Sequence, residues 1–344
     1  MQPRKRQTMR KKHAAYILAV ILLFAVPGHA FAAEKLLLYT SMKESLIGKL
    51  RDAFVKSNPG IEMDYRSAGA GKLMAKIAAE RESGKILADV IWTSEVPDFY
   101  RMRQDGILEK YIPPMDKEVL NPFNDYDGYF TAARLGTLGI AYNTKRIRSA
   151  PTAWSDLTRP EYKDAFGIAN PALSGTSHMS VVLLAQQFGW EFFIKLRANG
   201  ARVGEDSSQV IADAASGDLA ACLAVDYITF DKIIGGAPLA LAYPQEMLIV
   251  PSPIAIIKDS PNMTAAKKFV DFILSKEAQT IIAGKGTLPV RSDVSVPGRF
   301  NIPAAADAMQ RAMKVDYLDM IAAKEKNVKK FTGIMHPQGY GPEK

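Results

Sequence analysis

The sequence predicts an α/β protein of two lobes, each an open sheet, joined by a two-stranded hinge. Three observations carry this reading. Strand, turn and helix patterns alternate three times between residues 35 and 106, and the alternation resumes between 165 and 227. Long extended runs, 132–143 and 239–257, frame that second series. Parallel strands need helical crossovers, so repeated strand–helix units read as open, largely parallel sheets. The two long runs read as the strands that connect them.

The elements follow in order. Lys35-Leu-Leu-Leu-Tyr-Thr40 is the unbroken apolar run of a buried parallel strand. Leu46, Leu50, Phe54 and Val55 then recur at helical spacing until Asn58-Pro59-Gly60 ends the helix. Ile61–Arg66 is a strand, and Ser67-Ala-Gly-Ala-Gly71 opens a helix carrying Leu73, Ile77 and Ala78. Ala88–Trp92 is a third strand, and the helix after Thr93-Ser94 runs toward Gly106. The second series has strands at 165–170, 201–204 and 219–225, the last ending at Asp226-Tyr227. Its helices follow Pro171–Ser177 and begin again at Ser208. Met263–Leu274 is an amphipathic helix, and 304–330 reads as one further helical segment. This order gives the first lobe residues 33–139 and 249–344, with the second, 140–248, inserted.

The net charge of +8 over 344 residues belongs mostly to the first segment. Residues 1–13 hold six basic residues and no acid, an uncharged apolar run spans Ala14–Val26, and Pro27-Gly28 precedes Ala30-Phe31-Ala32. That order is a secretory signal peptide, too short in its apolar run to span a bilayer. With cleavage near Ala32 the remaining charge is +2, so the basic pI is no argument for nucleic acid. Cys222 is the single cysteine, which excludes an internal disulfide, a thiolate-rich metal site and a lipid anchor at the cleavage point. The expectation is an exported, unlipidated monomer located in the periplasm.

Hydroxyl and glycine residues occupy the strand-to-helix junctions: Ser41, Gly69 and Ala70, Ser94, then Ser174, Gly175 and Thr176, and Asp206-Ser-Ser208. Helix starts expose unpaired N–H groups at the positive end of the dipole. Several of them facing one cleft would bind an anion without a cationic side chain. Each is also an ordinary N-cap, and Gly69-Ala-Gly-Lys72 lacks the P-loop spacing. Trp92 and Tyr227 suit the walls of a pocket. Asp226 and Glu95, beside Tyr227 and Ser94, would hold an ammonium group on the ligand.

Catalytic and metal chemistry find little support. His178 stands four residues after Ser174, so a Ser–His pair is conceivable, but no Gly-x-Ser-x-Gly elbow accompanies it. Two histidines after the leader and one cysteine make a poor ligand set for zinc or haem. No two tyrosines are adjacent anywhere in the chain. No cofactor is expected.

In the order of its motifs the chain resembles the extracellular solute-binding proteins of ABC importers, in the branch that takes ferric iron, phosphonates and phosphate esters. The segments are Leu36–Ser41, Ala88–Ser94, Leu138–Asn143, Ala153–Leu157, Asn170–Thr176 and Ala278–Val290. The resemblance implies the two-lobed, type II periplasmic-binding-protein fold and delivery of a small solute to a membrane permease, with no covalent chemistry. Iron binders of the branch use an adjacent tyrosine pair where this chain has Asp226-Tyr227. Phosphate-type members use hydroxyls and helix N-termini, matching Ser41, Gly69, Ser94, Ser174, Gly175 and Thr176. The expected ligand is a small anion, a phosphonate or phosphorylated compound, with 2-aminoethylphosphonate ahead of a sugar or glycerate phosphate. The alternatives are a ferric-iron receptor and, remotely, a secreted hydrolase using Ser174 and His178.

Overall fold

The computed structural model describes residues 33–123 and 127–336; the expected leader lies outside them. The first alternation becomes β1 (Glu34–Thr40), β2 (Ile61–Ser67) and β3 (Val90–Trp92), with β1 parallel to both. Helices α1 (Glu44–Ser57), α2 (Ala70–Glu82) and α3 (Val96–Gln104) follow them. Leu46, Ile47, Leu50 and Phe54 form the buried stripe of α1, and Phe54 meets Phe269 edge-on at 5.1 Å.

The second series supplies β5 (Phe166–Ala169), β6 (Arg202–Gly204) and β7 (Ala221–Val225). Its helices are α4 (Gly175–Phe188), α5 (Glu191–Ala198), α6 (Ser207–Ser216) and α7 (Asp226–Ile234). The connecting strands are β4 (Thr131–Asn143) and β9 (Leu248–Ile256), with β8 (Leu239–Ala242) beside β4. The order across the sheet is β2-β1-β3-β9-β4-β7-β5-β6. β4 pairs with β9 through its first part and with β7 and β8 through its last. The two expected sheets are thus continuous through the connecting strands.

β4 is buried along nearly its whole length and carries a bulge between Ala132 and Arg134, opposite Pro253 and Ser252 of β9. Proline cannot donate to a ladder, and a bulge relaxes the register where pairing fails. The Ala133 carbonyl left over accepts from Gln279 Nε2 at 2.8 Å, and Gln279 is itself fully buried. The bulge turns Arg134 into the space between the lobes.

Several elements depart from expectation. The extended run 239–257 breaks between β8 and β9, around Pro244, which has no N–H to donate. The strand expected over 219–225 ends at Val225 but starts at Ala221, and Asp226 opens α7. Past β9 come α8 (Met263–Leu274), α9 (Lys276–Gly284), α10 (Ala305–Gln310), α11 (Tyr317–Ala322) and α12 (Lys324–Met335). The single helix expected over 304–330 is divided because Asp316 caps a new start, accepting from Leu318 N and Asp319 N. The last helix also differs in placement. Expected with the first lobe, α12 packs on α4 and α5, with Phe331 5.4 Å from Phe193 and Lys330 over Trp190.

Candidate ligand-binding site

The carboxyl ends of β1, β3, β5 and β7 converge where the lobes meet, and helix starts follow them. A cavity of about 40 Å³ lies there. The first lobe lines it with Ser41 and Lys43 before α1, Gly69 and Ala70 at α2, and Ser94 after β3. The second contributes Ser174, Gly175 and Thr176 at α4, Asp206 and Ser207 at α6, and Val225, Tyr227 and Ile228 at α7. Helix starts from both lobes therefore surround one small space, where first-turn N–H groups lack intrahelical partners.

The hydroxyls form a connected set. Ser174 Oγ lies 3.0 Å from Thr176 Oγ1, which lies 3.2 Å from Ser207 Oγ. Across the cavity Ser94 N donates to Ser41 Oγ at 3.1 Å, and Ser94 Oγ lies 3.0 Å from Ser252 Oγ. Ser174 also caps α4, accepting from Ser177 N. Lys43 N donates to the Tyr227 hydroxyl at 2.9 Å, and burial pushes that phenol up to about 12.

Arg134 forms the floor and was missed from the sequence. Its side chain is 1 % exposed. It donates to Thr287 Oγ1 at 2.7 Å, lies over the Tyr227 ring at 5.0 Å, and comes no nearer to Asp226 than 3.5 Å. A guanidinium in a buried strand needs compensation, and a lone arginine inside a thirteen-residue strand was the available signal. The expectation of an anion site without cationic side chains is therefore corrected. Lys43 was missed as well; at the mouth its Nζ meets Asp206 Oδ2 at 2.8 Å.

Three expected site residues stand away from the cavity. Asp226 is fully buried, and its oxygens accept from Thr137 N at 2.8 Å, Thr137 Oγ1 at 3.0 Å and Tyr227 N at 2.7 Å. Burial raises its pKa against the pull of Arg134. It holds Arg134 and the start of α7 in place and offers nothing to a ligand ammonium. Glu95 turns to the far side of α4, where its Oε1 lies 2.8 Å from both His178 Nδ1 and Lys324 Nζ. Trp92 is wholly buried in β3, opposite Ile254 of β9. His178 faces Glu95 rather than Ser174 Oγ, so no nucleophile–base pair is assembled.

A far larger cavity, about 1230 Å³, lies between α2, α3 and the C-terminal helices. It holds side chains of both charges and avoids the strand ends, so its volume does not make it the ligand site.

The family model of bacterial extracellular solute-binding proteins matches residues 85–325. The chain belongs to that family. Among its relatives is a "putative 2-aminoethylphosphonate-binding periplasmic protein" of Salmonella typhimurium, 26 % identical over 271 residues, covering 75 % of this chain and 78 % of the relative. The fold matches the periplasmic binding protein AfuA of Actinobacillus pleuropneumoniae with fructose-6-phosphate bound (TM-score 0.75, 23 % identity, 88 % of this chain and 98 % of the other). It also matches iron-bound HitA of Pseudomonas aeruginosa (TM-score 0.73, 24 % identity, 86 % and 99 %). This solute-binding protein therefore has the two-lobed type II periplasmic-binding-protein fold. It is a component of an ABC importer, captures a small solute for a membrane permease, and is not an enzyme. Among the described residues no helix is long and apolar enough to cross a membrane.

Proposed function

We propose that this protein is a monomeric periplasmic receptor for a compact phosphonate or phosphorylated compound, with 2-aminoethylphosphonate favoured. In this reading the chain is exported by cleavage near Ala32 and carries no lipid. The ligand lies between a lobe of residues 33–139 and 249–344, modified by the seating of α12, and an inserted lobe of 140–248. The observation that carries the reading is Arg134, a buried guanidinium at the floor of a cavity ringed by hydroxyls and helix starts. Such an array binds oxyanions through charge-assisted hydrogen bonds.

The small cavity favours a compact head group, since a hexose phosphate would hold the lobes further apart. The Salmonella relative supports the same ligand class. For ferric iron the cavity offers one phenol, Tyr227, with a guanidinium over its ring and an acid already paired with Lys43. That arrangement repels a trivalent cation, so the iron reading has the weaker support.

A thermal-shift panel with an absorbance readout tests the proposal. 2-Aminoethylphosphonate should raise the melting temperature by an amount set by its concentration over Kd. Fructose 6-phosphate should act more weakly, and ferric ion should produce no visible phenolate band. An iron-dependent colour with no phosphonate effect would overturn the proposal.

A further inference from the structure

Resting on the oxyanion reading above, the geometry points to Asp206, paired with Lys43 across the mouth of the cavity, as the residue that selects ligands carrying an ammonium group beside the anion. The observations concern charge and depth. Among the described residues lining the cavity, the charged side chains are Arg134, Lys43 and Asp206. Arg134 is at the floor, 1 % exposed, whereas Lys43 and Asp206 are 33 % and 32 % exposed at the mouth. The acids expected from sequence to meet an ammonium do not line the cavity: Asp226 is bonded to Thr137 and Tyr227, and Glu95 turns its Oε1 to His178 and Lys324. Glu205 beside Asp206 pairs with Lys72 on the outer surface, both well exposed, and does not line the cavity. Asp206 is thus the carboxylate a ligand can reach.

Asp206 is also built to stay in place. Its Oδ1 accepts from Gln209 N at 2.9 Å and caps α6, so the carboxylate is fixed to the second lobe. Lys43 precedes α1 in the first lobe. Burial pushes the Asp206 carboxyl up, but the Lys43 ammonium and the Gln209 N–H outweigh it and hold it below the usual range. The carboxylate is therefore charged when the ligand arrives.

A ligand carrying only negative charge draws Lys43 and Arg134 toward itself and leaves Asp206 facing added negative charge. A zwitterion does not. Its anionic end takes Lys43 and Arg134 while its ammonium replaces Lys43 at Asp206 Oδ2, so both cross-lobe charges keep a partner. The Lys43–Asp206 bridge then acts as a discriminator: it opens without an unpaired charge only for a ligand of both signs.

Calorimetry on the mature protein tests this with 2-aminoethylphosphonate and ethylphosphonate, which share the head group and differ in the amine. The parent should bind the aminophosphonate at least tenfold more tightly. Asp206→Asn keeps the N-cap oxygen for Gln209, so it should fold like the parent, as its melting temperature will report. It should lose at least tenfold in affinity for the aminophosphonate while ethylphosphonate changes less than threefold or binds better. Equal affinity of the parent for both compounds, or an unchanged preference in Asp206→Asn, overturns the role of Asp206 and leaves the oxyanion site standing. Failure of the parent to bind either compound overturns both.

Discussion

Two of the places where the lobes meet are built on opposite principles. At the cavity, short hydroxyls, helix starts and three charged side chains leave a space open. On the other side of α4, Glu95, Asp98, His178 and Lys324 pack four ionisable side chains together, with Asp98 and Lys324 also lining the larger cavity. One helix start serves both: Ser174 and Thr176 face the cavity, and His178 faces Glu95. Buried polarity at this interface thus divides into groups turned to an open space and groups turned to one another, and the second set leaves Asp98 Oδ2 and His178 Nε2 without a hydrogen-bond partner.

The largest expected effect falls on the floor of the cavity. Arg134→Met should abolish phosphonate binding and destabilise the fold by about 3–5 kcal/mol, because Asp226 then remains buried without its cation. Adding Asp226→Asn should restore most of the stability and none of the binding, as urea unfolding and calorimetry will report. A single variant as stable as the parent would break the assignment of Asp226 to structure.

The second region has a pH signature. Burial first, and then Glu95, raises the Asp98 carboxyl from its ordinary value near 3.8 to about 6, against Lys324 and His178, which also face it. The folded state therefore holds this proton more tightly than the unfolded chain. Its contribution is complete below about pH 4, is lost as pH rises through about 6, and amounts to about 3 kcal/mol at most. Asp206 and Glu95 have lowered values, so their contributions are lost only on acidification and fall outside this window. The melting temperature of the ligand-free protein should fall between pH 5 and 7, and Asp98→Asn should reduce that fall, the raised Asp226 and Asp271 carboxyls acting in the same direction. A slope kept by the variant would locate the titration elsewhere.

Smaller effects separate the two regions further. Thr176→Ala should weaken phosphonate binding by about 1.5–3 kcal/mol, the worth of a hydrogen bond to a charged group, with little change in stability. Gly71→Ala probes the approach of the lobes, since a Cβ there would run into the Ala172 carbonyl. Its affinity should drop about tenfold, or about 1.4 kcal/mol, while the free protein melts as the parent does. Unchanged affinity would mean that the lobes bind without approaching this closely.

What was legible follows from topology. In βα units the residues after each strand start a helix, and parallel strands put those starts on one edge, so Ser41, Gly69, Ser94, Ser174 and Thr176 could be brought together from their positions alone. Arg134 was hidden because simple alternation along β4 gives no warning of the bulge that turns it. Asp226 and Asp206 look alike in sequence, an acid at a strand end and helix start, but Thr137 and Tyr227 hold one of them in the interior, while Gln209 N and Lys43 hold the other at the mouth. Ser174 and His178 have helical spacing, yet Ser174 is the cap, outside helical dihedrals, so the spacing does not bring the side chains together.

A ligand bound between the lobes should draw them together. Small-angle X-ray scattering of the mature protein, with and without saturating 2-aminoethylphosphonate, reads that closure. The radius of gyration should be smaller in the ligand-bound sample, and Gly71→Ala should contract less. An unchanged radius at a ligand concentration shown by calorimetry to saturate the protein would mean that the lobes do not close on the ligand.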